Sequence, residues 1–157
     1  WFYKLFAGIN KWAATTLGIW GTVNSIIIMV SAVAMYSVIE LAATSSISIE
    51  DKLVMVQVLT QIISNSWGIG GLFFGLWLLP MGYIIVSSKR MPPALGWVLI
   101  VGGVGYLLQT FLNAGGVQSS FINLLTIPAT IGEFWIVGYL LIVGIRPEGN
   151  LNPDASG

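Results

Sequence analysis

Four polar side chains lie in otherwise apolar stretches of the chain, and they are its first candidates for chemistry. An ionisable residue at membrane depth is energetically costly and is a functional candidate for that reason. Counting about 1.5 Å per helical residue from the nearest basic end places Glu133, Asn24 and Tyr106 about 18 Å deep and Gln109 about 22 Å deep. We therefore predict one intramembrane polar layer formed by Glu133, Asn24, Tyr106 and Gln109.

Such a layer has two interpretations. Carboxyl, amide and phenol groups at one depth can relay protons, coordinate a cation or bind a polar headgroup. The same groups can be purely structural, with a protonated Glu133 donating to Gln109 or Asn24. A carboxylate there would also suit the start of a helix that begins near Pro128, where the helix dipole favours negative charge. The residue types alone leave both interpretations open.

The composition excludes several other chemistries. The chain has no His and no Cys, which removes Ser-His-Asp and Cys-His catalysis, disulfides, and imidazole or thiolate ligation of a metal or haem. We predict no catalytic residue, no metal site and no His-ligated or covalent cofactor. The formal net charge of zero gives no support to nucleic-acid binding. The deep aromatic residues Trp20, Trp77 and Trp135 suit contact with a lipid chain or a pigment, although core packing is the more common role.

The elements that must position these residues are membrane helices. Hydrophobic residues make up 56% of the chain and charged residues 8%, whereas about a quarter of the residues of a soluble domain are charged. The fold class is therefore an all-α polytopic transmembrane helix bundle. Because about 20 helical residues cross a membrane, we predict four spans, an interfacial segment before them and a polar tail after them. The segment is 1–11, the spans are about 12–43, 53–88, 94–113 and 122–145, and the tail is 147–157.

The second span is too long for an upright helix. It either tilts strongly or breaks at 65–71, where glycines are frequent, with Pro80 adding a kink. Ser46 or Ser48 is expected to cap its start. The chain begins at Trp1 and not at Met, so we expect further helices upstream of it.

Basic residues predict the orientation. Four spans place both ends of the chain on one side, together with the turn at Lys89 and Arg90. That side carries Lys4, Lys11, Lys89, Arg90 and Arg146, and the other side carries Lys52 alone. The positive-inside bias predicts that both ends and this turn are cytoplasmic.

Small residues recur at helical spacing in the first two spans. Such stripes let helix backbones approach closely in lipid. They predict packing within the chain, or a groove for a lipid tail or a partner helix. The predicted packing positions are Gly18, Gly21, Gly68, Gly71, Gly75 and Gly82, with Ser25 and Ala32 continuing the first stripe.

The hairpin FFGLWLLPMGYIIVSSKRMPPALGWVLIVGGVGYLLQT, followed by IPATIGEFWIVGYLLIVGIRP, resembles bacterial membrane proteins of the family called domain of unknown function 4386. The resemblance is strongest over about residues 70–147. It implies a helical membrane fold of about six spans, and hence location in the bacterial inner membrane, but no activity. The matching positions are Gly75, Gly82, Pro93, Leu95, Gly96, Gly103, Tyr106, Pro128, Gly132 and Glu133.

Three functional hypotheses follow. The leading one is a non-catalytic accessory or structural subunit that contacts lipids and packs against other membrane protein subunits. The alternative is a small transporter, proton-coupled or for a small molecule, that uses Glu133 and the polar layer, with a broken second span at the substrate site. A membrane-embedded enzyme is the weakest hypothesis, because Glu133 has no predicted second acid, base or metal at its depth.

Overall fold

The structure, a computed structural model, describes residues 2–117 and 119–145. Every regular element in these residues is helical, which confirms the predicted all-α bundle. Four stretches are long and apolar enough to cross a membrane in this part of the chain, namely Lys11–Ala43, Ile49–Ser88, Pro93–Ala114 and Ser120–Ile142. The predicted polar tail lies outside the described residues. The elements are α1 (Phe2–Phe6), α2 (Lys11–Ala43), α3 (Ile49–Ser88), α4 (Pro93–Ala114), a 3₁₀ segment (Ser120–Thr126) and α5 (Ile127–Ile142).

The helix ends follow from local sequence. The Asn10 side chain accepts a hydrogen bond from the Ala13 N–H at 3.0 Å and caps α2. Ser48, one of the two expected capping residues, accepts from the Asp51 N–H at 3.1 Å and starts α3. The first turn of α3 therefore begins before the predicted apolar run. At the other end of α3, Lys89 takes a left-handed conformation with φ 55°, and Pro93 at the start of α4 needs no amide partner.

Helix α3 is continuous from Ile49 to Ser88. The alternative prediction of a break at 65–71 is wrong, because the glycines of this stretch lie inside the helix. Each internal glycine costs about 1 kcal/mol of helix propensity relative to alanine. In lipid no water competes for backbone groups, so leaving the helix would cost more than keeping the glycines in it. Pro80 also lies within the helix.

The helices pack as sequential neighbours, α2 against α3, α3 against α4, and α4 against α5. The short helix α1 packs on α2, and its Phe6 side chain is fully buried. The core lies at the end of the bundle that carries the Lys89 turn. Its largest fully buried side chains are Phe6, Leu17, Leu78, Met81, Ile84, Ile85, Met91, Leu95 and Leu99.

Glycines set the distance between α3 and α4. A Cβ added at Gly75 would lie 2.7 Å from the Gly103 carbonyl oxygen, and one added at Gly82 would lie 2.6 Å from the Gly96 carbonyl oxygen. Both distances are shorter than real Cβ contacts, so the two backbones touch at two levels. This crossing is the closely packed interface that small residues permit in membranes.

Helix α4 makes a second close contact on its other side. A Cβ at Gly102 would collide with the Ala129 backbone, and one at Gly105 would collide with the Leu125 carbonyl oxygen.

The fourth span starts as a 3₁₀ segment and not as an α-helix. Pro128 has no N–H to offer the Leu124 carbonyl, and this carbonyl accepts from the Ile127 N–H in 3₁₀ geometry.

The outer parts of α2 and α3 extend beyond the rest of the bundle. Ser64 and Asn65 of α3 border the same cavity as Asn113 and Ala114, the last residues of α4. Helix α3 therefore continues past the end of α4 from Ser64 back to Ile49, a length of about 22 Å at 1.5 Å per residue. We call residues 29–64, which form this extension of α2 and α3, the projecting hairpin.

Candidate functional site

The structure distributes the four predicted polar residues over three places. Asn24 lies between α2 and α3, where its Oδ1 is 3.6 Å from the Cβ position of Gly70. Tyr106 of α4 and Glu133 of α5 are close enough for the carboxyl to interact electrostatically with the phenol. Gln109 lies nearer the end of α4 and faces the 3₁₀ segment. The structure thus brings together one pair of the predicted layer, Tyr106 with Glu133.

The Tyr106 and Glu133 pair is held between apolar surfaces. The Tyr106 ring stacks on Phe74 of α3, with ring centroids 5.6 Å apart. Glu133 is partly buried, and its Oε1 has no hydrogen-bond partner in residues 2–117 and 119–145. Glu133 follows Gly132, whose Cβ position lies 2.7 Å from Leu99. Close packing of α5 on α4 therefore carries the carboxyl group inward.

Gln109 has a partner that the sequence patterns did not reveal. Its Nε2 donates to Asn123 Oδ1 at 3.2 Å, which joins α4 to the 3₁₀ segment. The structural role predicted for the polar layer thus has a counterpart here, with Asn123 in place of Glu133. The sequence did not single out Asn123, because this residue lies 14 positions after Gln109. It stands at the start of the fourth span, in a stretch whose composition is equally typical of a loop.

Asn24 is paired in space with an aromatic residue. Its side chain is 7% exposed, and Trp77 of α3 lines the same cavity. Neither Asn24 Oδ1 nor Trp77 Nε1 has a hydrogen-bond partner among the described residues. Trp77 also contacts the Phe2 ring of α1, with centroids 5.9 Å apart. A buried acceptor and a buried donor therefore stand unsatisfied on facing helices.

The predicted packing glycines divide into two groups. Gly75 and Gly82 form the α3–α4 crossing, and Gly71 faces Thr110, whose Oγ1 is 3.0 Å from its Cβ position. Gly18 faces Tyr3 at 3.8 Å. None of the described atoms beyond the helix itself lies within 4 Å of a Cβ at Gly21 or Gly68. The remaining close contacts come from α4 and α5, at Gly96, Gly102, Gly103, Gly105 and Gly132.

Among the described residues, these side chains form pairwise polar contacts between apolar helices. Residues 2–117 and 119–145 contain no group of three or more acidic, His or Cys side chains placed to hold a metal ion. The partly buried carboxyl of Glu133 has the Tyr106 phenol near it, which suits proton exchange or recognition of a polar group.

The described residues contain four helices that are long and apolar enough to cross a membrane, together with an apolar core, which indicates a multi-pass membrane protein. The chain matches the family described as domain of unknown function (DUF4386) over residues 1–144, and it belongs to that family. The predicted resemblance is confirmed and extends further toward the start of the chain than residue 70. No curated protein and no solved structure matches the chain.

Proposed function

We propose that this protein is a non-catalytic accessory subunit whose projecting hairpin packs against the helices of another membrane protein. The observation that supports the proposal is the extension of α2 and α3 about 22 Å beyond α4. A two-helix hairpin of this length has no third element of the described chain to cover it. The hairpin carries exposed apolar side chains, which are unfavourable in water, and exposed amide and hydroxyl side chains, which are unfavourable in lipid.

In water, the apolar side chains of the projecting hairpin would be exposed. Burial of apolar surface contributes about 25 cal/mol per Å², and large exposed apolar patches mark interaction or membrane surfaces. The exposed side chains are Met29, Val30, Val33, Met35, Tyr36, Ile39, Ile49, Leu53, Val54, Met55, Val58 and Ile62. Water alone is therefore a poor environment for this surface.

In lipid, the polar side chains of the same hairpin would lack hydrogen-bond partners on a neighbouring helix. The α3 face that meets α4 continues at spacings of three and four residues through Gly68 and Ser64, which lie level with the end of α4, to Gln61 and Gln57 beyond it. Ser64, Gln61 and Gln57 are exposed, and Gln61 Nε2 reaches Asn65 Oδ1 at 3.4 Å. Amides and hydroxyls in lipid are stabilised by hydrogen bonds to a neighbouring helix. A partner helix that is apolar but carries amide or hydroxyl groups satisfies both kinds of surface.

We further propose that the membrane is the bacterial inner membrane and that the Lys89 turn faces the cytoplasm. Lys4, Lys11, Lys89 and Arg90 cluster at one end of the bundle, and Lys52 stands at the tip of the projecting hairpin. This distribution supports a cytoplasmic core and an outward-facing hairpin by the positive-inside bias. The family resemblance supports the choice of membrane, and the charge distribution supports the orientation.

Photo-crosslinking in native membranes tests the proposal. A photoreactive residue at Gln61 should give a protein adduct of one discrete mass, while one at Val101, an exposed residue of α4, should label mainly lipid. Replacing Gln57 and Asn65 with Leu should remove the Gln61 adduct. Lipid adducts alone at both positions, or an adduct of twice the mass of the chain, would refute assignment as a subunit of another protein.

Transport through the Tyr106 and Glu133 pair is a second candidate function. It is favoured by one observation, the buried Glu133 Oε1, which has no hydrogen-bond partner in the described part of the chain. The continuity of α3 removes the broken-helix argument for it. Reconstituted vesicles carrying the Glu133→Gln protein should lose proton-coupled flux if this carboxyl moves protons. The control is the Gln109→Leu protein, which lacks a different polar group. If its flux equals that of the wild type, the loss in the Glu133→Gln protein is specific to the carboxyl group.

A further inference from the structure

A cleft between α1, α2 and α3 is lined by Asn24 and Trp77, whose Oδ1 and Nε1 atoms, unpaired within the described residues, lie buried in its wall. Its volume is about 460 Å³, within the range of about 300–1,000 Å³ that small-molecule sites occupy. The cleft is partly open at the surface, and none of its described lining residues belongs to α4. Its lining residues are Phe2, Tyr3, Leu17, Gly18, Gly21, Thr22, Asn24, Ser25 and Trp77.

We propose that this cleft binds a neutral lipid that carries a hydroxyl group, such as a long-chain alcohol. A hydroxyl both accepts and donates, so one such group can accept from Trp77 N–H and donate to Asn24 Oδ1. Because both atoms are buried in the structure, this binding mode requires the Asn24 amide and the Trp77 indole to turn toward the cleft. Leaving these buried groups unpaired costs more than a hydrogen bond gains, which favours a ligand of matching chemistry.

The remaining lining residues select the same ligand class. None of the described residues that line the cleft is charged, so the site provides no counter-charge for a phosphate or an ammonium headgroup. Thr22 and Ser25 donate their hydroxyl protons to the Gly18 and Gly21 carbonyls, both at 2.8 Å. Their oxygens therefore present acceptors and not free donors. Phe2, Leu17 and the ring of Trp77 provide an apolar wall for a hydrocarbon chain.

Gly21 provides the space for that chain. No described atom outside its own helix turn lies within 4 Å of a Cβ placed there, although Gly21 lines the cleft. A larger side chain at this position fills the cleft without displacing a neighbouring helix. Gly138 of α5 is equally open and lies away from the cleft, which makes it a matched control position.

The test is photolabelling of the purified full chain in phosphatidylcholine nanodiscs. The probes are a diazirine-bearing hexadecanol and the corresponding diazirine alkane without the hydroxyl. We expect the alcohol to label residues 17–25 and the region of Trp77 about three- to tenfold more than the alkane does, as one or two hydrogen bonds in a membrane allow. Unlabelled hexadecanol should compete with the labelling.

Three variants complete the test. Gly21→Leu should abolish labelling in the cleft, while Gly138→Leu should leave it unchanged. Asn24→Leu and Trp77→Phe keep the apolar wall and should bring the alcohol-to-alkane ratio close to one. Equal labelling of the wild-type protein by both probes would overturn the proposal and would indicate that water alone satisfies the two groups. Full labelling of the Gly21→Leu protein would also overturn it, and the wild-type comparison requires no variant to fold.

Discussion

The contact between α3 and α4 at Gly75 makes a sharp prediction about stability. In the Gly75→Ala protein the new Cβ would lie 2.7 Å from the Gly103 carbonyl oxygen and 2.9 Å from Leu107 Cγ. Leu107 can change rotamer, but the carbonyl belongs to the helix backbone. The helices must therefore separate by about 0.7 Å to reach an ordinary contact of 3.4 Å, and the whole crossing loses packing.

The expected cost is about 1–3 kcal/mol, as for overpacked cores. Alanine also favours the helix over glycine by up to about 1 kcal/mol, which would mask part of this cost. Gly21→Ala provides the matched control, because it gains the same propensity in open space. The difference between the two variants therefore isolates the packing cost at the crossing.

The assay is unfolding of the purified protein by SDS from mild detergent micelles, followed through its tryptophan fluorescence. Gly75→Ala should unfold at a lower SDS fraction than the wild type, and Gly21→Ala at an equal or higher one. Combining Gly75→Ala with Gly103→Ala should cost less than the sum of the two single changes, since the helix separation that accommodates one added Cβ also makes room for the other. Equal midpoints for Gly75→Ala and Gly21→Ala would refute backbone contact at this crossing.

Three further predictions concern the ends of the bundle. Gln109→Leu removes the hydrogen bond to Asn123 and should lower the free energy of unfolding by about 0.6 kcal/mol, the average for such bonds in membranes; no change would show that the bond contributes nothing. Lys89 is left-handed, so Lys89→Gly should raise and Lys89→Val should lower the free energy of unfolding, each by about 1 kcal/mol, and the reverse order would contradict the left-handed cap. Because the chain has no cysteine, Ser46→Cys and Ser88→Cys report topology cleanly. An impermeant maleimide should label only Ser46→Cys in intact spheroplasts, and the opposite pattern would invert the proposed orientation.

Much of the fold could be predicted from the sequence because hydropathy and helix-capping or helix-breaking residues act locally. The apolar runs, the cap at Ser48 and the prolines at Pro92 and Pro93 each act within a few residues of their positions. The choice between a tilted and a broken second span could not be made in this way. It depends on whether backbone groups at 65–71 find better partners outside the helix, and this depends on the neighbouring helices, which the local residue pattern does not reveal.

The candidate site was harder to predict because depth is only one coordinate. Asn24 and Glu133 share a calculated depth, yet they lie on different faces of a bundle whose neighbours are sequential. Depth counting could not show that Trp77 would face Asn24 or that Asn123 would reach Gln109. The pairing of glycines across α3 and α4 was likewise hidden, because the stripe on α3 predicted close approach without naming the partner positions.

The uninterrupted helix α3 has a mechanical consequence. It works as a lever whose pivot is the crossing with α4 and whose long arm is the part of α3 from Gly75 to Ile49, which includes the α3 half of the projecting hairpin. The arm from Gly75 to Ile49 is about 39 Å long at 1.5 Å per residue, whereas the two crossing contacts at Gly75 and Gly82 are about 10 Å apart. By the ratio of these lengths, a lateral force at the tip is amplified about fourfold at the two glycine contacts. A partner that binds the projecting hairpin therefore also loads the α3–α4 crossing.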